Sequence, residues 1–253
     1  MPARIVQISD CHLLADPEEP FKGIYPHRQL IDVLRLARET VPDCDRVILT
    51  GDMAHDERRE TYRALREHLG GWVDLCRVVP GNHDDRDSIR SVFSDRVPEP
   101  GGAVRFSERV GGWRLIGLDS QSAGNVHGEI EATQLEWLVD QLQGNADEPT
   151  LLFLHHPPVP VGSAWLDAIG LRDAALFSQI VTKASQVRGV FTGHVHHEFE
   201  GELGRAAVYC APATSLQFRP GTAEPEFDSL PPGFRVVELG ASELRTYVVR
   251  PRA

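Results

Sequence analysis

Arg4-Ile-Val-Gln-Ile-Ser-Asp-Cys-His12 decides the fold, because an apolar run closes on a carboxylate and an imidazole two residues apart. A run this short, rich in Ile and Val, suits a buried strand. The same design returns four times. Arg46-Val-Ile-Leu49 leads to Gly51-Asp52, and Cys76-Arg-Val-Val79 leads to Gly81-Asn82-His83-Asp84. Leu151-Leu-Phe-Leu154 leads to His155-His156, and Val187-Arg-Gly-Val-Phe191 leads to Gly193-His194-Val195-His196. Strands buried on both faces read as continuous apolar runs, and active-site crevices of open α/β sheets form just beyond the carboxyl ends of their strands. A sheet would therefore deliver all five polar motifs to one edge.

Between the runs the apolar spacing turns helical. Helices are predicted at His27–Glu39, where Leu30, Ile31, Leu34 and Leu36 form the apolar side, and at 57–69, 85–93, 131–143 and 172–183. Leu13 to Tyr25 reads as a loop. After His196 the rhythm changes to hairpin spacing: 198–202 with 206–211 around Gly204, and 234–239 with 244–249 around Gly240. This tail is read as a second sheet, and strands near 104–106 and 113–118 should join one of the two. The expected fold is α/β, a four-layered αββα sandwich of two mixed sheets flanked by helices, formed as a single domain over residues 1–253. The polar, proline-rich stretch 219–232 is expected to be a lid or a subunit contact, which would make the protein a homodimer.

With 37 acidic residues against 26 Lys and Arg, the formal charge is −11 and no basic block interrupts it. Phosphate backbones demand a basic footprint, so nucleic acid is not expected as a partner. No apolar run is long enough to span a membrane, and Met1-Pro-Ala-Arg-Ile-Val enters a strand at once without a signal-peptide apolar stretch. The expectation is a cytoplasmic protein with no membrane partner. Cys11, Cys44, Cys76 and Cys210 are scattered without a CxxC pair, so neither a disulfide framework nor a structural zinc knot is indicated.

An acidic protein that handles phosphate needs local positive charge, and bound cations would supply it. Any one of the 11 histidines could be structural, and a lone Gly-Asp or His-Pro is most often a turn. Five carboxylate, imidazole and amide motifs, each behind a strand, point instead to a metal site. Two divalent cations about 3.5 to 4 Å apart can clamp both reacting oxygens of a displacement at phosphorus, which requires two ligand sets sharing a bridge. Donors of N and O type without thiolate suit Fe, Mn, Zn or Co rather than calcium.

The ordered pattern DxH, GD, GNH[DE], H, GHxH resembles that of the calcineurin-like metallophosphoesterases, matched in full between residues 10 and 196. The resemblance implies a first metal held by Asp10, His12, Asp52 and His196, and a second held by Asp52, Asn82, His155 and His194. Asp52 would bridge them together with a solvent molecule whose pKa the metals lower. Iron and manganese are the first expectation, zinc or cobalt the alternatives. His83 belongs to neither set; by the same resemblance it would contact the phosphate and protonate the leaving oxygen, with Asp84 orienting it. His12, Asn82, His83 and His196 would touch substrate.

Further segments resemble the cyclic AMP branch of the bacterial class III cyclic-nucleotide phosphodiesterases. They are Ser9-Asp-Cys-His-Leu13, Leu118-Asp-Ser120, His127-Gly-Glu129, Leu135-Glu-Trp-Leu138, His155-His-Pro-Pro158 and Ala213-Thr-Ser-Leu-Gln-Phe218. The implied activity is hydrolysis of 3',5'-cyclic AMP to the 5'-monophosphate; a broad phosphodiesterase acting on glycerophosphodiesters or 2',3'-cyclic nucleotides is the alternative. Cys11 stands where relatives often carry Thr and is expected to pack. Adjacent residues on a strand end point opposite ways, so one of His155 and His156 should face the metals, and the family pattern favours His155. His197 is read like His156, as packing. His27, His68 and His127 default to surface or hydrogen-bonding roles, and His55 follows Asp52 closely enough to line the cleft. Asp167 and Asp173 are read as solvent-facing or capping. Trp165, on a loop leaving the site, is placed to contact a purine.

Overall fold

The computed structural model describes residues 2–97, 101–144, 146–172 and 174–251. The opening run forms β1 (Ala3–Ile8), the centre of a five-stranded sheet. Its parallel partner is β2 (Arg46–Thr50), followed by β3 (Cys76–Val79) at one edge. The second sheet has six strands. β4 (Phe106–Val110) and β5 (Trp113–Gly117) form a hairpin; β6 (Thr150–Phe153) and β7 (Val187–Thr192) then extend β5 in parallel.

The tail corrects one expectation. It does not build a sheet of its own: its two hairpins part, one to each sheet. β8 (Phe199–Leu203) and β9 (Ala206–Cys210) enter the six-stranded sheet through a parallel β7–β9 pairing, giving the order β4-β5-β6-β7-β9-β8. Further on, β12 (Phe234–Leu239) pairs antiparallel with β1, and β13 (Leu244–Val249) closes the edge, giving β13-β12-β1-β2-β3. The reason lies in the inner strands, since β12 is buried nearly throughout whereas β13 alternates half-buried with exposed residues. A strand apolar on both faces needs neighbours on both sides, and β1 has a free edge to offer. Between the hairpins, β10 (Gln217–Phe218) and β11 (Phe227–Asp228) form a short ladder.

Helices cover the outer faces. α1 (Pro26–Thr40) starts with Pro26, whose fixed φ suits a first turn, and buries Leu30, Val33, Leu34 and Ala37 on one stripe. α2 (Arg59–Leu69) buries Tyr62, Leu65 and Leu69; α3 (Arg86–Val92) is capped by Asp85, whose carboxylate accepts the Ser88 N–H at 2.7 Å. These cover the five-stranded sheet, meeting Val6, Ile8, Val47 and Leu49. α4 (Ala132–Gln143) and α6 (Ala174–Lys183) cover the other sheet on Ile116, Leu152 and Val190. α5 (Ala164–Asp167) is a single turn that the sequence did not announce.

A third core lies between the sheets, where Ile5, Ile48, Val79 and Val237 meet Leu115, Leu151, Phe153 and Phe191. Alternate residues of each inner strand thus feed opposite cores, which gives the αββα layering. Polar side chains cross this middle layer: Arg235 of β12 donates to the Cys210 carbonyl of β9 at 3.2 Å, and Gln7 donates through Nε2 to Thr50 Oγ1 at 3.1 Å and to the Thr192 carbonyl at 3.0 Å, joining β1 and β2 to β7. All five polar motifs emerge just above that crossing. No helix among the described residues is long and apolar enough to cross a membrane.

Candidate metal centre

Each motif lies just past the last residue of a strand that runs parallel to a neighbour in its sheet. Asp10 leaves β1, Asp52 leaves β2 and Asn82 leaves β3, while His155 leaves β6 and His194 and His196 leave β7. The chain must turn abruptly there to aim side chains inward, and the backbone records it. Of seven non-glycine residues at positive φ among those described, five are Asp10, His12, Asp52, His194 and His196, at φ of 46° to 70°. This conformation costs about 1 kcal/mol or more per residue, and persists only where surrounding contacts over-determine it. Here they do. The Asp10 N–H donates to the Gly51 carbonyl at 3.0 Å, the His12 N–H to the Asp52 carbonyl at 2.9 Å, and the His194 N–H to the Asp10 carboxylate at 3.1 Å.

The side chains form two groups around a shared oxygen. Asp52 Oδ2 lies 3.5 Å from His12 Nε2 and 3.5 Å from His155 Nε2. On the first side, His12 Nε2 stands 3.1 Å from His196 Nε2, which is 3.3 Å from Asp10 Oδ1. On the second, Asn82 Oδ1 lies 3.2 Å from His155 Nε2 and 3.1 Å from His194 Nδ1. Separations of 3.1 to 3.5 Å suit the edges of a coordination shell with bonds of about 2.0 to 2.2 Å. Asp10, His12, Asp52 and His196 are all buried, with ligand atoms mutually within 4.8 Å.

Tautomers supply an independent test of fit. A carbonyl can only accept, so His155 Nδ1 donates to the Thr50 carbonyl at 2.7 Å and His196 Nδ1 donates to the Leu216 carbonyl at 3.0 Å. Unless doubly protonated, each ring then aims a bare Nε2 lone pair at carboxylate and amide oxygens, an arrangement that a cation completes. Burial drives His12 and His194 down to about 3, keeping both imidazoles neutral, the form that can bind a cation. Burial also opposes charge on His155, but the Asp52 and Asp10 carboxylates outweigh it and push that imidazole up to about 9. A metal at this position would displace the proton it carries. For Asp52 the cost of burial is overcome by His155, His12 and His83, which hold its carboxyl well below the usual range. The cluster is suited to a dinuclear metal site.

The space between the turns leaves no room for extra atoms. A Cβ on Gly81 would overlap an Asp52 carboxylate oxygen and come within 2.8 Å of His155 Cε1. At Gly51, where φ is +89°, it would meet His155 Nδ1 at 2.5 Å.

His83 stands beside the cluster rather than in it. Its N–H donates to Asp52 Oδ1 at 2.9 Å, and its half-buried ring lies 5.0 Å from the His12 ring and 4.8 Å from that of His55. Asp84 departs from expectation. Instead of orienting the His83 ring, its carboxylate accepts from the Met53, Ala54 and Gly81 N–H groups at 3.0, 3.1 and 2.9 Å and from the Tyr62 hydroxyl at 3.0 Å. It pins the turn after Asp52 to the turn before Asn82. A buried acid surrounded by backbone donors is held in place by them, and those donors are nearer than the imidazole. Burial beside the Asp52 carboxylate raises the Asp84 carboxyl.

His156 lies close to His155 and His194, but both its nitrogens are engaged, Nδ1 with Ser120 Oγ at 2.9 Å and Nε2 with the Val126 carbonyl at 3.1 Å. Cys11 is buried in the core under α1, and His197 is buried without a partner for either nitrogen. His27 is buried and bonds the Leu14 carbonyl and His68. Asp167 caps a loop by accepting the Val161 N–H at 2.6 Å, while Asp173 lies outside the described residues. The sequence reading expected His55 only to line the cleft and gave several other supports no individual role. His55 Nδ1 sits 3.3 Å from His12 Nδ1, and Ser215 Oγ donates to the Asp10 carbonyl at 2.7 Å. Arg86 makes two hydrogen bonds to buried Asp119, next to the Ser120 that holds His156. Asp119, Ser120 and Ser215 do fall within the segments singled out by resemblance; Arg86 carried no signal.

The cluster forms the floor of a cleft of about 280 Å³ that also exposes His83, Phe21, Lys22, Trp165, Phe218 and Phe227. The profile of the calcineurin-like phosphoesterase family matches residues 3–198, which include every one of these ligands. The chain belongs to that family. Among calcineurin-like phosphoesterases it is 34% identical over 238 residues to the 3',5'-cyclic adenosine monophosphate phosphodiesterase CpdA of Escherichia coli K12, covering 94% of this chain and 86% of that one. It is 36% identical to a probable cyclic nucleotide phosphodiesterase of a Synechococcus species, with 94% and 88% covered. The fold matches a dimetal phosphatase from Danio rerio with a TM-score of 0.70 at 17% identity, over 97% of this chain and 99% of that one. The fold of this calcineurin-like phosphoesterase is thus shared well beyond its sequence relatives.

Proposed function

We propose that the chain hydrolyses 3',5'-cyclic AMP to the 5'-monophosphate with two divalent metals, iron and manganese being the pair to test first. The observation that carries this reading is the single oxygen, Asp52 Oδ2, equidistant at 3.5 Å from a histidine of each ligand group, with His83 beside it at the cleft floor. The relatives named for cyclic nucleotide hydrolysis support the substrate class. Bound there, two cations would supply charge for the phosphoryl oxygens and a deprotonated solvent nucleophile.

The chain's own groups do the rest. His12, Asn82 and His196 line the cleft where a phosphate would sit, fixing the phosphorus with respect to both ligand groups. Water adds to phosphorus and the bond to the 3' oxygen breaks, so that oxygen needs a proton as it leaves. His83 is half-buried at the cleft floor, outside both ligand groups, and has its backbone tied to Asp52 Oδ1, which supports its reading as the proton donor.

The test is steady-state kcat/KM of metal-reconstituted protein on 3',5'-cyclic AMP, 2',3'-cyclic AMP and bis(p-nitrophenyl) phosphate, beside Asn82→Ala. A preference for the 3',5' isomer that vanishes in the variant supports the reading. Equal or better turnover of the other diesters overturns it in favour of a general phosphodiesterase.

A further inference from the structure

The cleft has two chemically different halves. Its floor holds the ligand groups and His83. Away from them the lining side chains are apolar or aromatic, Lys22 being the one other charged group among the described residues. Phe218 joins the halves: its ring stacks on the imidazole of His196 at 4.6 Å and 28°. The Trp165 indole meets Phe218 edge to face at 4.8 Å and 86°, and Phe227 lies nearly parallel to Phe218 at 5.8 Å and 14°. The result is an aromatic corner one ring away from a metal ligand.

Two chain segments build this corner and are fastened to each other. Trp165 sits on α5, whose neighbour Ser163 is buried and accepts the Gly221 N–H at 2.8 Å. Phe218 and Phe227 face each other across the β10–β11 ladder, and the Phe218 N–H donates to the His196 carbonyl at 3.3 Å. The stretch beyond Arg219 is thus part of the cleft wall.

We propose that this corner binds the base of the nucleotide and selects purines as a class, without distinguishing adenine from guanine. The inference rests on the cyclic-nucleotide reading above and adds what determines the base. A 3',5'-cyclic nucleotide holds its base one ribose away from phosphorus, so phosphate on the floor brings the base to the adjoining wall. Every base offers a π-face, and stacking strength grows with ring area, so a two-ring purine gains more than a one-ring pyrimidine. Adenine and guanine differ at the exocyclic groups on their edges. Rejecting one of them strongly needs a polar group placed to pair with it, whereas an apolar pocket discriminates isosteres weakly. Phe218, Phe227, Val126, Ile169 and Leu216 offer only carbon surface to the base, and the two donors of this wall, the unpartnered Trp165 indole N–H and the Lys22 ammonium, can pair with the ring nitrogens N3 and N7 that adenine and guanine share.

The experiment compares wild type with Trp165→Leu and Phe218→Leu as metal-loaded proteins, in two measurements. Calorimetric Kd values are taken for 5'-AMP, 5'-GMP, 5'-CMP and inorganic phosphate; kcat/KM is taken for the 3',5'-cyclic forms of the same three nucleosides. The expected result is adenine and guanine nucleotides within about tenfold of each other, both ahead of cytosine. Each variant should lose roughly tenfold to a hundredfold for the purines while its phosphate Kd stays unchanged, which also shows that its floor is intact. The proposal is overturned if guanine nucleotides fall more than a hundredfold below adenine, if 5'-AMP binds no better than phosphate, or if the variants weaken phosphate as much as 5'-AMP. Failure of wild type to hydrolyse any cyclic nucleotide would count against the reading beneath; nucleotide affinity would still decide the corner.

Discussion

Asp84→Asn separates two roles for that carboxylate. Oδ1 accepts three donors, from Met53 N at 3.0 Å, Ala54 N at 3.1 Å and the Tyr62 hydroxyl at 3.0 Å; Oδ2 accepts the Gly81 N–H at 2.9 Å. An asparagine keeps one accepting oxygen, which can serve the first three. Its amide NH2 then faces the Gly81 N–H, donor against donor. One charge-assisted hydrogen bond disappears and a buried N–H is left unpaired, a combined loss of about 2 to 4 kcal/mol. Gly81 is packed on Asp52 and His155, so the loosened turn should also weaken metal binding by about tenfold to a hundredfold, the usual effect of removing a group that orients ligands. Urea unfolding of the metal-free protein measures the first quantity and metal titration of the folded protein the second. If the metal-free variant stays within about 0.5 kcal/mol of wild type, keeps its metal affinity and loses only kcat, Asp84 acts on His83 and the backbone argument is wrong.

Other outcomes follow from neighbouring contacts. Arg86→Ala strips a buried carboxylate, Asp119, of its guanidinium partner and should cost about 3 kcal/mol in urea unfolding, with Arg86→Lys recovering only part; a loss under about 1 kcal/mol would show that the pair contributes little. Gly81→Ala should fold with fewer than two metals per chain by elemental analysis, because the added methyl overlaps Asp52, and full occupancy would contradict the packing. Native protein should leave all four buried thiols unmodified by a thiol reagent that labels them in urea; burial pushes Cys11, Cys76 and Cys210 up to about 12, and rapid native labelling would refute it. Asp95 is held down to about 2 by its hydrogen bonds from Arg66, so its folded value lies below the usual 3.8. A depressed carboxylate stabilises above the unfolded value and loses that contribution as pH falls from about 4 to about 2. Because the pair is exposed, Asp95→Asn should cost less than about 1 kcal/mol at neutral pH and flatten acid unfolding over that window.

The strand ends and the residues they bring into the cluster were legible because each strand that delivers one announces itself twice, by an apolar run and by the polar residue that closes it. Ile8 before Asp10 and Phe153 before His155 are read by the same rule. Helix bounds shifted by a residue or two, as expected where caps fray. Partner choice was not legible: nothing in Phe234–Leu239 says that it pairs with β1 rather than with β8 or β9, since that depends on which edge remains free when the sheets form. Asp84 was misread for a similar reason. Its closest donors are backbone N–H groups from Met53 and Ala54, about thirty residues earlier in the chain, and backbone leaves no letter in a sequence. The aromatic corner was half visible, in Trp165 and in the segment ending at Phe218 that the resemblance singled out, but the meeting of the two rings depends on tertiary contacts that set the path of that segment across the cleft.

Each group of ligands draws on both sheets. Asp10, His12 and Asp52 come from one and His196 from the other, while Asp52 and Asn82 face His155 and His194 across the same seam. Neither half of the molecule carries a complete chelate. During refolding, then, tight metal capture reports the docking of the two sheets and should rise with that step, later than helix content. For the same reason Phe153 and Phe191, stacked at 5.2 Å in the layer between the sheets, act as a spacer for a centre they never touch. Trimming that stack should alter the gap across which the two side-chain groups face each other, so mutational searches for altered catalysis have reason to look there as well as in the cleft.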